Sequence, residues 1–133
     1  MSSVFPDFLS YQLYAPLILR LVLGTIFIIH GYPKLFKEFS KTAEWFGSIG
    51  LKPGKLWVFV VGVVEFFGGI LLLVGFLTQV AAILIAINMI GAMVFVKFKQ
   101  GLVGGYEFDL VLLAMALALL FLGAGFYAFD YPF

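Results

Sequence analysis

The chain has 133 residues, 64% of them apolar and 11% charged, and its mean hydropathy is +1.17. Soluble domains are about 45–50% apolar and about 25% charged, and eight Lys/Arg plus seven Asp/Glu cannot cover a water-facing surface of this size. A net charge of +1 offers no footprint for nucleic acid, and the lack of cysteine excludes a dithiol couple, a thiolate metal site and an iron–sulfur cluster. The composition is that of a small integral membrane protein, read as one domain over residues 1–133.

The N-terminus lacks a basic region and a cleavage-like end to its apolar run, so the first helix is expected to remain in the mature protein. A spanning helix needs about 20 mainly apolar residues. The first such stretch runs from Ala15 to Phe36 and is interrupted by Arg20, His30 and Lys34. Pro33, beside His30, removes a backbone donor and leaves a carbonyl free to bend the helix. In the connection from Lys37 to Lys55, the residues Phe36, Phe39, Ala43 and Phe46 recur at helical spacing, with Lys37, Lys41 and Glu44 off the stripe. This pattern predicts a short amphipathic helix in the membrane interface, ended by Gly50 and Pro53-Gly54.

The second span, Leu56 to Leu77, holds one charge, Glu65. Thr78-Gln79 reads as a very short link, which makes the second and third spans antiparallel neighbours. The third span, Val80 to Val96, has Asn88 as its only strongly polar residue. A turn rich in glycine (Gly101, Gly104, Gly105) leads to the fourth span, Phe108 to Phe129, with Asp109 near its start. Tyr106, Tyr127, Tyr131 and Trp57 read as interfacial anchors. The expected fold is an all-α membrane protein, four helices in an up-down-up-down bundle with an interfacial helix between the first two.

All seven lysines fall at or after the end of span one or after span three, which an even topology places on the same side. The positive-inside bias then puts both lysine-bearing connections in the cytoplasm and both termini outside, in the plasma (inner) membrane of the cell.

A charge at mid-membrane costs about 2.5–3.5 kcal/mol on insertion scales, so such residues face protein or water and find partners. His30 and Glu65 lie roughly 9 and 13 Å from the lysine-bearing end at about 1.5 Å per residue, which makes His30 the expected partner of Glu65 and Arg20 the next. Lys34, Glu107 and Asp109 are expected near the interface, in structural or solvated roles. Small residues predict the interior faces. These are Arg20, Gly24, Phe27, Gly31 and Lys34 in span one, and Gly62, Glu65 and Gly69 in span two. Ala81, Asn88 and Ala92 serve in span three, and Glu107, Ala114, Ala118 and Gly125 in span four. A lone His30 cannot make a multi-ligand metal site or a bis-His haem site, and no catalytic motif is present.

Leu-Arg-Leu-Val-Leu-Gly from Leu19 to Gly24, followed by His30-Gly31 and Lys34-Leu35-Phe36, resembles the opening of the DoxX family of small membrane proteins. The likeness continues through Gly50-Leu51-Lys52-Pro53, Val64-Glu65, Gly68-Gly69 and Gly75-Phe76-Leu77-Thr78. It resumes at Gly104-Gly105-Tyr106-Glu107 and ends at Gly123-Ala124-Gly125 and Asp130; relatives often have Gly-Pro-Gly and a Ser where this chain has Ala124 and Ala128. The resemblance implies four membrane helices. The family takes its name from a subunit associated with a terminal quinol oxidase, and a related branch is part of a thiosulfate:quinone oxidoreductase. Many members have no established activity, so the resemblance supplies no reaction. Arg20, His30, Lys34, Glu65 and Glu107 match by motif.

Three functional readings follow. The first is an accessory or quinone-interacting subunit of a membrane redox complex, with Arg20, His30, Lys34, Glu65, Asn88 and Glu107 as the polar interior site. Its expected partners are lipid, other membrane subunits or further copies of the chain, and quinone; no covalent cofactor or metal is expected. The second is a small-solute or proton pathway along Arg20, Glu65 and His30. The third is a purely structural subunit of a larger assembly.

Overall fold

The computed structural model describes residues 2–130. Among these residues the fold is all-helical. The short Pro6–Tyr11 turn is followed by α1 (Tyr14–Tyr32), α2 (Phe39–Ser48), α3 (Gly54–Val74), α4 (Thr78–Ala92) and α5 (Glu107–Leu122). With the turns that extend them, four helices are long and apolar enough to cross a membrane: Tyr14–Lys37, Gly54–Val74, Thr78–Gln100 and Leu102–Leu122. Ile18, Ile29, Phe59, Phe67, Ile87 and Phe121 stay exposed on the outside of the bundle, as a lipid-facing surface requires.

The helices pair as α1 with α3 and α4 with α5, joined through α3 and α4. The α1–α3 contact is backbone against backbone. A Cβ at Gly24 would lie 2.7 Å from the Gly69 carbonyl oxygen, and one at Gly69 would lie 2.7 Å from that of Gly24. Membrane helices gain from such close approach because lipid supplies little hydrophobic drive between them. The central core consists of Leu23, Phe27, Leu72, Ile85, Met89, Leu112 and Leu119, packed over alanines of α4 and α5.

The amphipathic helix forms as the spacing predicts. Ala43 and Phe46 of α2 are buried against Val58, with Phe39 packed beside them, while Lys41 and Glu44 face outward. Three expectations are corrected. Thr78 and Gln79 open α4 instead of forming the link, because the reversal is completed earlier: Gly75 (φ 71°) ends α3, with Phe76 N–H donating to the Leu71 carbonyl at 3.0 Å, and Leu77 (φ 50°) starts the next helix. The last helix stops at Leu122, not Phe129. Gly123 (φ 79°) and Gly125 (φ 72°) turn an otherwise apolar tail back over the lysine-free end, where Tyr127 is exposed. The buried face of α5 is Asp109, Leu112, Ala116 and Leu119, while Glu107 and Ala114 are exposed. Alanines at 81, 82 and 86 of α4 already supply the small residues, so α5 answers with leucines. Tyr131 lies outside the described residues.

Candidate functional site

The two ends of the bundle hold separate polar systems. At the lysine-free end Arg20 is 0% exposed, and its guanidinium donates to five backbone carbonyls. Nε donates to Ala124 (2.8 Å), Nη1 to Leu72 and Leu73 (3.1 and 3.2 Å), and Nη2 to Phe126 and Tyr127 (2.7 and 3.0 Å). A guanidinium has five N–H donors, so Arg20 is saturated. It caps the last turn of α3 by donating to the Leu72 and Leu73 carbonyls, and clasps the tail onto it. Asp130 completes the clasp by accepting from Leu77 and Thr78 N–H at 2.7 and 2.8 Å. Arg20 thus pairs with backbone carbonyls and not with Glu65, and Leu23, Phe27, Leu72 and Ile85 pack as a core between the two ends.

At the other end a cavity of about 390 Å³ opens between the helices. Its walls are mostly aromatic and aliphatic, among them Phe27, Trp45, Phe46, Trp57, Phe95 and Phe108. His30, Lys34, Glu65, Asn88, Lys97 and Asp109 supply its polar groups. Glu65, 3% exposed, is paired with Lys34 Nζ, which is itself partly exposed. The expected Glu65–His30 pair is therefore corrected. Pro33 interrupts the regular ladder, the chain continues as a wider, π-type turn over Pro33–Lys37, and this carries Lys34 toward α3. His30 stays on the cavity wall with its ring 6.3 Å from that of Phe108. The same device recurs in α4, where the wide turn Met93–Lys97 brings Lys97 to the cavity. Such wide turns are frequent at functional sites.

Four of the six expected site residues therefore line one cavity: His30, Lys34, Glu65 and Asn88. Arg20 belongs to the clasp. Glu107 is exposed and accepts from Gly104 N–H at 3.3 Å, a turn contact at the α5 N-terminus. Two residues were missed. Asp109, expected at the interface, is 6% exposed on the cavity wall; its spacing with Leu112, Ala116 and Leu119 is the signal that places it there. Lys97 had no signal, because the turn that delivers it has no proline to mark it.

Residues 15–98 match the DoxX family. This chain belongs to that family. It is 38% identical over 117 residues to "Putative oxidoreductase CatD" of Bacillus subtilis (strain 168), covering 88% of this chain and 84% of that protein. It is 35% identical over 130 residues to an "Uncharacterized protein" of Haemophilus influenzae, covering 93% of this chain and 94% of the other. An uncharacterized membrane protein of Mycobacterium tuberculosis is 34% identical over 88 residues, covering 66% of this chain and 54% of its own length. No solved structure matches. Four of the motif positions, Arg20, His30, Lys34 and Glu65, fall inside the matched segment, while Asp109, Glu107 and the clasp's tail fall beyond it.

Proposed function

We propose that this DoxX protein is a quinone-interacting, accessory subunit of a membrane redox assembly, set in the plasma (inner) membrane with its lysine-bearing end in the cytoplasm and both termini outside. One observation carries the reading. The cavity joins an apolar, aromatic slot to a small set of polar groups at His30, Lys34–Glu65, Asn88 and Asp109, the form expected of a site for a planar headgroup with an apolar tail. Its volume, about 390 Å³, lies within the range of small-molecule pockets. Lys34 and His30 are the donors for a carbonyl oxygen, and the aromatic walls accept the ring. With no cysteine and a single histidine in the sequence, the electron-carrying centre is assigned to a partner subunit. The oxidoreductase name of the Bacillus subtilis relative is consistent with that assignment.

The test is extraction. Protein purified in mild detergent is expected to retain about one quinone per chain, and the Lys34→Met/Glu65→Gln double variant to retain several-fold less. A tagged wild-type copy is expected to bring down a redox-active membrane partner. If the wild type yields no quinone above the detergent-lipid background, the reading is discarded. Stable, quinone-free protein with a stoichiometric partner would favour a structural subunit instead.

A further inference from the structure

Beside the Lys34–Glu65 pair, the cavity holds one buried polar atom that has no hydrogen bond among the described residues. Asp109 sits in the first turn of α5 and is 6% exposed, yet its Oδ2 is buried without a hydrogen-bond partner among the described residues. Lys97, His30 and Lys34 line the same cavity, but among the described residues the only ion pair is the one between Lys34 and Glu65. A buried polar atom without a partner is costly, and native structures hold few of them without a reason.

The chemistry of the missing partner follows from the carboxylate. When ionised it accepts hydrogen bonds and donates none, so what completes Asp109 must bring an O–H or N–H. Among the other cavity groups, Glu65 is already paired with Lys34 and Asn88 can both donate and accept, while Lys34 and His30 bring donors: the Lys34 ammonium and at least one His30 ring N–H. A ligand that suits Asp109 and these donors carries a hydroxyl at one position and an oxygen acceptor at another. The two redox forms of a quinone differ in this respect. The oxidised ring has two carbonyl acceptors and no donor, whereas the reduced ring has two hydroxyls, each donor and acceptor.

We infer that Asp109 makes the cavity selective for the reduced, hydroxyl-bearing form of its headgroup, with one ring O–H donating to the Asp109 carboxylate and the other ring oxygen accepting from Lys34 or His30. This rests on the reading of the cavity as a quinone-type site. It adds a specificity-determining residue to that site and a direction to its preference: a quinol is held and a quinone is let go.

The experiment is a binding comparison with the full chain in lipid nanodiscs, titrated anaerobically with decylquinol and with decylquinone by calorimetry. Trp45 and Trp57 are the chain's two tryptophans and both line the cavity, so a change in their fluorescence reports that the ligand has entered it. A hydrogen bond to a charged group predicts decylquinol binding about tenfold tighter than decylquinone. Asp109→Asn, whose amide can also donate to a carbonyl, is expected to reduce that preference to about twofold or less. Asp109→Ser is the second variant should the first misfold, and Glu107→Gln, outside the cavity, is expected to keep the wild-type preference. Equal affinities in the wild type would mean that water alone completes Asp109, and would overturn the inference. So would a preference for decylquinone, the result expected if a protonated Asp109 donated to a carbonyl, or a preference that survives both Asp109 variants. If neither compound binds or perturbs the tryptophans, the quinone reading itself falls.

Discussion

Arg20 and Lys34 lie on the same helix, and the chemistry of their head groups separates their roles. The Arg20 fork reaches carbonyls of α3 and of the tail at once, which one ammonium nitrogen cannot do. Arg20→Lys is therefore expected to leave several of the five carbonyls without a donor and to cost at least ~3 kcal/mol. Thermal unfolding in detergent should show the midpoint falling by about 10 °C or more. Lys34, a flexible point charge, is suited to a single carboxylate. Replacing Lys34 alone is expected to cost about 3–5 kcal/mol by stranding the buried Glu65 carboxylate, replacing Glu65 alone to cost less because Lys34 is partly exposed, and replacing both to cost much less than the first. A double-mutant cycle between them should give a large coupling energy, while cycles of Glu65 with His30 and with Arg20 should be near additive. An additive Lys34–Glu65 cycle would contradict the pairing.

At the scale of elements, sequence and structure agree where length and hydropathy decide the matter. Four apolar runs and one amphipathic helix were legible, and the stripe Arg20, Gly24, Phe27, Gly31 is indeed the buried face of α1. Agreement fails where backbone geometry decides. Residues 123–129 are as apolar as a helix end, and only the glycines in left-handed conformations reveal the turn. Depth along the axis likewise put His30 and Glu65 together, but a wide turn after Pro33 changed which side chain arrives. The start of α4 depends on a residue from the far end of the chain. Partial burial disfavours the charged form of Asp130, but the hydrogen bonds from Thr78 and Leu77, with the positive Arg20 nearby, outweigh it and hold its carboxyl below the usual range. A depressed folded-state value means stability that is present above the ordinary Asp value of about 3.9 and lost as pH falls below it. The Leu77 and Thr78 amide resonances should hold their positions from neutral pH to about pH 4 and shift only in stronger acid. In Asp130→Asn they should lose hydrogen-exchange protection at every pH.

For the molecule as a whole, the division of charge is the main feature: all seven lysines at one end, a clasp built from one arginine at the other, and an apolar core between them. That division was legible in the sequence, although the closure of the clasp was not, because five carbonyl acceptors carry no side-chain signature. Cysteines introduced at Ser3 and Lys52 of this cysteine-free chain are expected to react from opposite faces of intact cells, with Ser3→Cys labelled from outside. External labelling of Lys52→Cys would reverse the orientation proposed above.

The clasp also sets a constraint on biosynthesis. Arg20 precedes the Leu72 carbonyl by 52 residues and the Ala124 carbonyl by 104. At about 5–20 residues per second, a ribosome needs roughly 5–20 s to supply the last of these acceptors. Throughout that interval the nascent first helix carries a guanidinium whose permanent partners have not all been made, and it must be tolerated at the membrane surface by snorkelling or by the insertion machinery. Residues 124–130 are the last members of the clasp to be made. A chain terminated after Leu122 would keep all four spans yet leave Arg20 with only the two α3 carbonyls, and quality-control proteases would meet it as an unfinished product.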